Sequence, residues 1–222
     1  MSKVSVLIPS YNEAGTIAAI VRDVRSRGFN AYVVDDGSSD GTGTIAEAEG
    51  AIVVRHEKNM GKGAALISGF KRILGTDSEA VIIMDADNQH EAGSIPDFIN
   101  VMQTSGADLV IGNRMLDSRA MPYVRRQTNR FMSYLISRMC GQAIPDTQCG
   151  YKLLKRRVLE EVRLEHSNFE IESELLIKAA RKGFKISSVP IRAIYQGERS
   201  KINPALDTLR FIVFIIRMSF KR

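Results

Sequence analysis

Two carboxylates follow directly on an apolar run, and their spacing is suited to a metal ion. Residues 80–84 are apolar and lead into Asp85-Ala86-Asp87. Because the apolar run predicts a buried strand, both carboxylates are expected at its carboxyl end, where open α/β sheets bind ligands. Mg²⁺ takes oxygen ligands and shares its remaining positions with water and substrate phosphates. The pattern predicts a divalent cation with a nucleotide diphosphate, and a solvated turn is the alternative.

Three further polar segments lie where predicted strands end or helices begin. Residues 9–13 (PSYNE) follow the first strand, where Pro9 is expected to end the strand and Asn12 to cap the next helix. Residues 34–42 (VDDGSSDGT) follow the second strand, with Ser39 or Asp40 as the expected helix cap. Residues 58–65 (KNMGKGAA) open a third helix without the spacing of a P-loop. Turn chemistry explains each segment alone, but not all of them together with Asp-Ala-Asp in this order.

Strand and helix patterns alternate along the first half of the chain. The predicted strands are residues 3–8, 31–35, 51–55, 80–85 and 107–112, and the predicted helices are residues 14–27, 42–49, 63–74 and 94–104. Later segments predict a basic helix at 121–139, a turn at 143–150, a helix at 170–182 and strands near 185–194. This alternation predicts an α/β fold with a mostly parallel sheet and helices on both faces.

Composition limits the class of protein. The chain has 222 residues, 44% of them apolar, and a formal net charge of +6. Its length suits one α/β domain, and its charge favours an anionic partner such as a nucleotide or a phospholipid surface. The two cysteines, Cys140 and Cys149, lack metal or redox spacing, so we expect reduced thiols. We see neither a signal peptide nor a run long enough to span a membrane.

Taken in order, the motifs resemble family 2 glycosyltransferases with the GT-A fold. The resemblance rests on residues 9–13, 34–38, 59–63, 85–87 and 146–152 (DTQCGYK). Within that family the chain is most similar to the dolichyl-phosphate mannose synthase and polyprenyl-phosphate glycosyltransferase branch. The resemblance implies an inverting transfer of a sugar from GDP-mannose or a UDP-hexose to a polyprenyl or dolichyl phosphate. No nucleic-acid partner is implied, and a homo-oligomer is left open.

The resemblance also implies roles for individual residues. Those assigned to the nucleotide-sugar are Pro9, Tyr11, Glu13, Val34, Asp36, Lys62, Asp85, Ala86, Asp87 and Lys201. Asp36 would face the base, and Asp87 with Gln89 would bind Mg²⁺ or Mn²⁺. Many relatives have Gly or Leu where this sequence has Asn88, and Pro where it has Glu91; these departures bear on the expected loop shape more than on metal binding.

The acceptor decides which further residues the reaction needs. A phosphate acceptor is already largely ionised at neutral pH, so it needs cationic positioning rather than a base. Arg114 at the end of the fifth strand, with Arg126 and Arg130 on the next helix, are the candidates for this role. A hydroxyl acceptor would instead need a general base, for which Asp146 is the best candidate. We therefore expect Asp87, Arg114 and Asp146 to be the catalytic residues.

The last residues predict an amphipathic helix at the membrane surface. We expect a catalytic domain at residues 1–203 and a separate helix at 204–222. One face of that helix is apolar, formed by Leu206, Leu209, Val213, Ile216 and Phe220, and a basic stripe lies beside it. Such helices lie in the plane of the membrane, which predicts a cytoplasmic, peripheral protein. The alternative for this segment is a helix docked on the catalytic domain or in a dimer interface.

Two alternatives to the proposed activity also remain. One is a glycosyltransferase that acts on a saccharide or another hydroxyl acceptor, and the other is a nucleotide-sugar binding subunit without turnover.

Overall fold

The computed structural model describes residues 3–87, 90–117, 121–165, 170–192, 211, 213–216 and 218. The strands are β1 Val4–Ser10, β2 Asn30–Asp35, β3 Ile52–Arg55, β4 Ala80–Ile83, β5 Leu109–Asn113, β6 Lys152–Lys155 and β7 Ile186–Pro190. The α-helices are α1 Ile17–Ser26, α2 Thr42–Ala48, α3 Lys62–Leu74, α4 Ile95–Ser105, α5 Tyr123–Cys140, α6 Arg156–Glu161 and α7 Glu170–Arg181. Short 3₁₀ turns cover Ala92–Ser94 and Met115–Asp117.

The strands form one sheet in the order β3-β2-β1-β4-β6-β5-β7. All neighbouring pairs are parallel except those of β6, which runs antiparallel to both β4 and β5. The chain moves outward from β1 to β3 and then returns to place β4 on the other side of β1. This reversal makes the carboxyl ends of β1 and β4 the expected ligand crevice. The predicted α/β fold with a mostly parallel sheet is confirmed.

The sequence did not predict β6 or α6. Residues 152–155 read Lys-Leu-Leu-Lys, which shows neither an apolar run nor a regular alternation. The strand forms because its backbone completes the ladder between β4 and β5. Strand pairing of this kind depends on neighbours distant in the sequence, so local patterns do not reveal it.

Pro9 does not end β1, contrary to prediction. It continues the strand opposite Val34 of β2. The Leu7 carbonyl accepts a hydrogen bond from Met84, and the Ser10 carbonyl accepts one from Asp36. Successive residues of β1 therefore direct their backbone polar groups alternately towards β4 and β2. Pro9 is directed towards β4, at a position past Ile83, where β4 has already ended. The missing N–H of Pro9 consequently costs no ladder bond.

The predicted helix caps also differ from the structure. Asn12 does not cap α1, whose N-cap is Thr16; it adopts φ 55° and accepts a hydrogen bond from the Ser39 backbone. Gly41 is the N-cap of α2, and Asp40 just before it accepts a bond from the Thr42 N–H. Asp40 thus satisfies a first-turn donor from outside the helix.

The core lies between the sheet and its helices. All seven residues of β1 are buried, and α3 packs closely on this strand. The close approach depends on Gly69, since a Cβ there would lie 2.2 Å from a methyl carbon of Leu7. Cys140 and Cys149 are free thiols, and burial raises the pKa of each to about 12.

The C-terminal residues that the structure describes have two different faces. Phe211, Phe214 and Met218 are buried against the core, whereas Val213 and Ile216 are exposed. The exposed pair belongs to the apolar face that the sequence predicts. The other members of that face, and its basic stripe, lie outside the described residues. No helix in the described ranges is both long and apolar enough to cross a membrane.

Candidate active site

Three motifs meet at the carboxyl edge of the sheet. Ser10 of β1 lies beside Asp35 of β2, and Asp36 donates its backbone N–H to the Ser10 carbonyl. On the other side of β1, Met84 donates its N–H to the Leu7 carbonyl, so that the following Asp85 reaches the same edge. Residues 9–13, 35–36 and 85–87 are therefore neighbours, as the parallel sheet predicts.

The loops after β1, β2 and β4 are tied together by hydrogen bonds. The Glu13 N–H donates to the Thr42 hydroxyl at 2.8 Å, and the Ala14 N–H donates to the Asp40 carboxylate at 3.0 Å. The Thr16 hydroxyl donates to the Ala86 carbonyl at 2.6 Å, which fixes the Asp-Ala-Asp turn against the start of α1. Because each loop holds another, the edge is preorganised rather than assembled from independent segments.

Asp36 is buried and accepts three hydrogen bonds. His56 Nδ1 lies 2.6 Å from Oδ1, which also accepts the Met60 N–H at 2.9 Å. The Gly61 N–H donates to Oδ2 at 2.8 Å. The loop before α3 therefore wraps around this carboxylate. Gly37 makes that approach possible, because a Cβ at this position would lie 2.4 Å from the Lys58 backbone.

Asp85 begins a chain of alternating charges. Lys62 Nζ lies 2.6 Å from Asp85 Oδ1 and 2.6 Å from Glu172 Oε1. Glu172 in turn pairs with the fully buried Lys152, which also donates to the Cys149 carbonyl. The order is anion, cation, anion, cation, so the cluster has no net charge.

Neighbouring charges shift the pKa values of Asp85, Lys62 and Glu172 towards the ionised forms. Burial alone raises the pKa of Asp85, but the Lys62 ammonium outweighs burial and holds that pKa well below its usual range. Burial alone lowers the pKa of Lys62, but Asp85 and Glu172 raise it above its usual value. For Glu172, Lys152 and Lys62 outweigh burial and lower the pKa.

The Asp-Ala-Asp turn fits a divalent cation by the chemistry of its donors. Carboxylate oxygens suit Mg²⁺ and Mn²⁺. Asp87 is half-buried at the crevice, and Asp85 is held by Lys62 beside it. Gly150 lies against Asp85, since a Cβ there would approach Oδ2 to 2.0 Å. Among described residues no cluster of three or more acidic, His or Cys side chains is arranged around a metal position, and the predicted ligand Gln89 lies outside them.

Arg114 and Asp146 form a buried ion pair instead of facing an open cleft. Arg114 donates Nε to Oδ2 at 2.8 Å and Nη2 to Oδ1 at 2.9 Å, and its backbone N–H also donates to Oδ2. Asn129 of α5 adds a bond to Oδ1 at 2.8 Å. Burial raises the pKa of Asp146, but Arg114 and Asn129 outweigh it and keep that pKa below its usual range. A carboxylate so engaged is a weak base.

Arg126 and Arg130 lie on α5, one turn apart. Arg130 is exposed. Arg126 is half-buried with its guanidinium 5.5 Å from the Tyr123 ring centre, and its buried Nε has no hydrogen-bond partner in the described part of the chain. A buried donor without a partner is costly, and an anionic ligand would satisfy it. Binding of an acceptor phosphate by these residues stays a prediction.

The remaining predicted residues divide by location. Pro9 and Val34 are buried in strands that lead to the edge, Tyr11 is 42% exposed there, and Ala86 is buried in the turn. Lys201 lies outside the described residues. The site residues predicted from the sequence did not include His56, Lys152 or Glu172. Their partners are 20 residues away in each case, a separation that no local motif reveals.

Fold and site together define the class of protein. A mostly parallel sheet with a carboxylate at the end of β2 and an Asp-Ala-Asp turn after β4 is the arrangement of a GT-A glycosyltransferase. Glycosyl transferase family 2 matches residues 5–163, and the chain belongs to this family. The family predicted from the sequence is confirmed.

Several named proteins are similar to this chain over about two thirds or more of their own length. Glycosyltransferase AglJ of Haloferax volcanii is 34% identical over 93% of this chain and 67% of its own. The UDP-N-acetylglucosamine--dolichyl-phosphate N-acetylglucosaminyltransferase of Methanococcus voltae is 28% identical over 86% of this chain and 85% of its own. Polyprenol monophosphomannose synthase of Mycolicibacterium smegmatis is 30% identical over 84% of this chain and 75% of its own.

A solved structure shows the same fold. Glucosyl-3-phosphoglycerate synthase from Mycobacterium tuberculosis, in complex with Mn²⁺, UDP-glucose and phosphoglyceric acid, superposes with a TM-score of 0.78. The match covers 98% of this chain and 79% of that one at 21% identity. At this identity the likeness concerns the fold alone.

Proposed function

We propose that this protein transfers a sugar, with inversion, from a nucleotide-diphosphate sugar to a polyprenyl or dolichyl phosphate. The observation that carries the proposal is the meeting of Asp36, Asp85 and Asp87 at one edge of the sheet. In this arrangement Asp36 can bind the nucleobase of the donor, and Asp85 and Asp87 can bind its metal-bound diphosphate. The names of the relatives support a lipid-phosphate acceptor, and they differ in donor sugar.

In this proposal Asp87, with Asp85 beside it, holds Mg²⁺ or Mn²⁺. When bound, the cation stabilises the negative charge that develops on the leaving diphosphate. Lys62 holds Asp85 in place through their ion pair. Asp36 holds the base, and Tyr11 and Glu13 line the same edge.

The geometry favours a phosphate acceptor over a hydroxyl acceptor. A hydroxyl needs a base, and Asp146 is the candidate for one, but both its oxygens are occupied by Arg114 and Asn129. A phosphate needs only cations to position it, and α5 presents Arg126 and Arg130. Arg114 then acts from within its ion pair, as the group that fixes the end of β5 beside the acceptor.

Replacing Asp87 tests the donor site. We expect Asp87→Ala to abolish transfer and to weaken nucleotide-sugar binding, because the diphosphate loses the cation that offsets its charge. Calorimetry with UDP-glucose and GDP-mannose, with Mn²⁺ and then with EDTA, measures binding. Transfer to a polyprenyl phosphate is assayed under the same conditions. Full transfer in EDTA would remove the metal from the mechanism. Binding without turnover in the unmodified protein would favour a nucleotide-sugar binding subunit.

We also propose that α5 lies on the membrane that contains the acceptor. Its Tyr123, Val124, Phe131 and Tyr134 are between 54% and 69% exposed, and Arg130 and Arg138 are exposed among them. At 100° per residue these six side chains occupy an arc of about 120°. The helix contains no acidic residue. Aromatic and basic side chains on one face are typical of helices at an anionic membrane surface.

The opposite side of α5 faces the buried ion pair of Arg114 and Asp146. Asn129 is buried there and donates to Asp146. A bilayer on the outer face would therefore bring a lipid phosphate close to the arginines of this helix. These contacts support peripheral attachment to a membrane, and attachment at the cytoplasmic face remains part of the proposal.

Vesicle cosedimentation tests the α5 surface. We expect Phe131→Ser/Tyr134→Ser to weaken binding to anionic vesicles about tenfold or more, because both rings lose their burial in the interface. The control Lys71→Ser/Arg72→Ser removes two exposed cations from α3, on another part of the surface. Equal binding of both variants would show that α5 does not touch the membrane. A change from dimer to monomer in the first variant would instead identify a protein interface.

A further inference from the structure

A chain of side-chain hydrogen bonds supports Asp36 from behind. His56 Nδ1 lies 2.6 Å from Asp36 Oδ1, and His56 Nε2 lies 2.9 Å from the Ser68 hydroxyl. Asp36 follows β2, His56 follows β3, and Ser68 lies in α3. The chain therefore joins three elements behind one carboxylate of the proposed donor site.

The proton positions in this chain follow from the acceptors. A carboxylate without a proton only accepts, so the tautomer that fits this contact has its hydrogen on His56 Nδ1, which donates to Asp36 Oδ1. In the tautomer with its hydrogen on Nδ1, Nε2 is the acceptor and the Ser68 hydroxyl is the donor. Ser68 thus fixes the ring orientation, and the ring fixes the carboxylate.

Ser68, His56 and Asp36 have the residue types of a hydrolase triad, but the surroundings do not suit a nucleophile. Ser68 lies in the middle of α3, residues 62–74. Backbone N–H groups in the middle of a helix bond within the helix, so they are not available as an oxyanion hole. The arrangement is better suited to orienting Asp36 than to attacking a substrate.

We propose that His56 is a positioning residue that sets base selection by Asp36. His56 and the Met60 N–H occupy Oδ1, and the Gly61 N–H occupies one direction of Oδ2. The remaining acceptor capacity of Oδ2 meets an N–H on the edge of the base. Uracil N3 and guanine N1 carry such a hydrogen, whereas cytosine N3 and adenine N1 are unprotonated and face the carboxylate with a lone pair.

This inference rests on the proposed nucleotide-sugar donor and adds the residue that makes its base recognition selective. A carboxylate held in one orientation rejects a base that lacks the matching donor, because two acceptors then face each other. A carboxylate free to rotate loses part of that discrimination. Changes in His56 therefore affect selectivity between nucleobases as well as affinity for the nucleotide.

Calorimetry with Mn²⁺ and four nucleotides tests the inference. Binding of UDP is compared with that of CDP, and binding of GDP with that of ADP. Whichever of UDP and GDP binds more tightly is then measured in the variants together with its partner nucleotide. We expect His56→Leu to weaken binding of that ligand about tenfold and to reduce its preference over its partner about fivefold or more. His56→Asn, which keeps an N–H near the position of Nδ1, should restore most of the preference. Ser68→Ala should show a smaller loss than His56→Leu.

Controls separate positioning from general destabilisation. Ile73→Val changes the core face of α3 and should leave the ratio of the two affinities unaltered. In steady state, His56→Leu should raise the donor KM with little change in kcat. An unchanged UDP/CDP or GDP/ADP ratio in His56→Leu would overturn the inference. If the unmodified protein binds none of the four nucleotides, the proposed donor itself fails.

Discussion

At the scale of single residues, the site depends on charges that are buried together. Asp85, Lys62, Glu172 and Lys152 alternate in sign, and Arg114 pairs with Asp146 a short distance away. A buried charge is costly unless it is paired and hydrogen-bonded. Removing one member therefore exposes the desolvation cost of its partner. Such pairs fix geometry, and single substitutions in them affect folding as well as activity.

We predict that removing one half of the Arg114 and Asp146 pair costs more stability than its contacts suggest, and that removing both halves costs less than the sum. Either Arg114→Ala or Asp146→Asn should lower the free energy of unfolding by roughly 3–5 kcal/mol, because each leaves a buried charge unpaired. The double variant Arg114→Met/Asp146→Leu should lose less than the sum of the two, since no charge remains. Urea unfolding measures these values.

The same variants distinguish the acceptors when they are assayed well below their unfolding transitions. Asp146→Asn should retain measurable transfer to a polyprenyl phosphate, whereas Arg114→Ala should be the more damaging change. A hydroxyl acceptor would instead lose on the order of 10²-fold in Asp146→Asn. An inactive Asp146→Asn beside a nearly normal Arg114→Ala would therefore replace the lipid phosphate with a hydroxyl acceptor.

His90 should make stability depend on pH. Burial, which outweighs the opposing effect of Asp85, lowers the pKa of His90 to about 4. Its Nδ1 has no hydrogen-bond partner among described residues, and its ring stacks on Tyr151 at 5.1 Å. Between an unfolded pKa of about 6.5 and the folded value, the unfolded chain binds more protons, so stability falls as pH falls through this window.

The measurement is urea unfolding at several pH values between 7 and 4.5. His90 alone cannot change the free energy of unfolding by more than about 1.4 kcal/mol per pH unit. His90→Phe keeps a ring against Tyr151 without a titrating group, so its stability should change less across the window. Equal slopes in the variant and the unmodified protein would assign the pH dependence to other groups.

At the scale of elements, local sequence patterns predicted most strands of the sheet but not β6, the strand that joins β4 to β5. The strands β1 to β5 and helices α1 to α5 were predicted to within about three residues, because apolar runs and helical periodicity are local signals. β6 was missed because its short Lys-Leu-Leu-Lys segment pairs with strands far away in the sequence. The same reason hid Lys152, which lies on that strand and joins the charged chain at the site.

For the site, as for the fold, the sequence predicted the residues marked by local motifs but not their distant partners. Asp36 and Asp85 were found because strand ends carry them to a known edge of a parallel sheet. The engagement of Arg114 with Asp146 was not predicted, since it depends on the turn after α5 returning to the end of β5. The support of Asp36 by His56 was missed for the same reason. Sequence motifs thus locate the groups that face ligand better than the groups that hold them.

The turn before β6 gives a prediction at this scale. Gly150 packs against Asp85, and a Cβ there would approach Oδ2 to 2.0 Å and Cγ to 2.7 Å. Gly150→Ala should displace Asp85 and disturb its pair with Lys62, weakening nucleotide-sugar binding about tenfold or more while the sheet remains folded. Gly15→Ala is the control, since a Cβ there meets nothing within 4 Å. Equal binding by both variants would show that Asp85 can move without cost.

At the scale of the whole molecule, the donor edge and the proposed membrane surface are connected through α5. This helix packs against α7, which carries Glu172 of the charged chain. Its inner face holds Asp146 through Asn129, and its outer face is aromatic and basic. In the proposed function, the nucleotide-sugar binds at the carboxyl edge of the sheet and the lipid-bound phosphate approaches at α5.

The C-terminal segment gives the last prediction. Because Phe211, Phe214 and Met218 are buried in the core, deleting residues 204–222 should lower stability as well as membrane association. Substitutions by face separate the two effects. Val213→Ser/Ile216→Ser changes exposed side chains and should weaken binding to anionic vesicles without lowering the melting temperature. Phe214→Ser/Met218→Ser should lower the melting temperature, because it places hydroxyls in the core.

Vesicle composition and salt complete this test. Binding should be stronger to anionic than to neutral vesicles and should weaken as salt increases, because screening shortens the reach of exposed charge. Donor binding by Val213→Ser/Ile216→Ser should equal that of the unmodified protein, since the donor edge lies on other elements. If this variant cosediments as well as the unmodified protein, the exposed face of the segment does not contact lipid, and α5 alone remains as the proposed membrane surface.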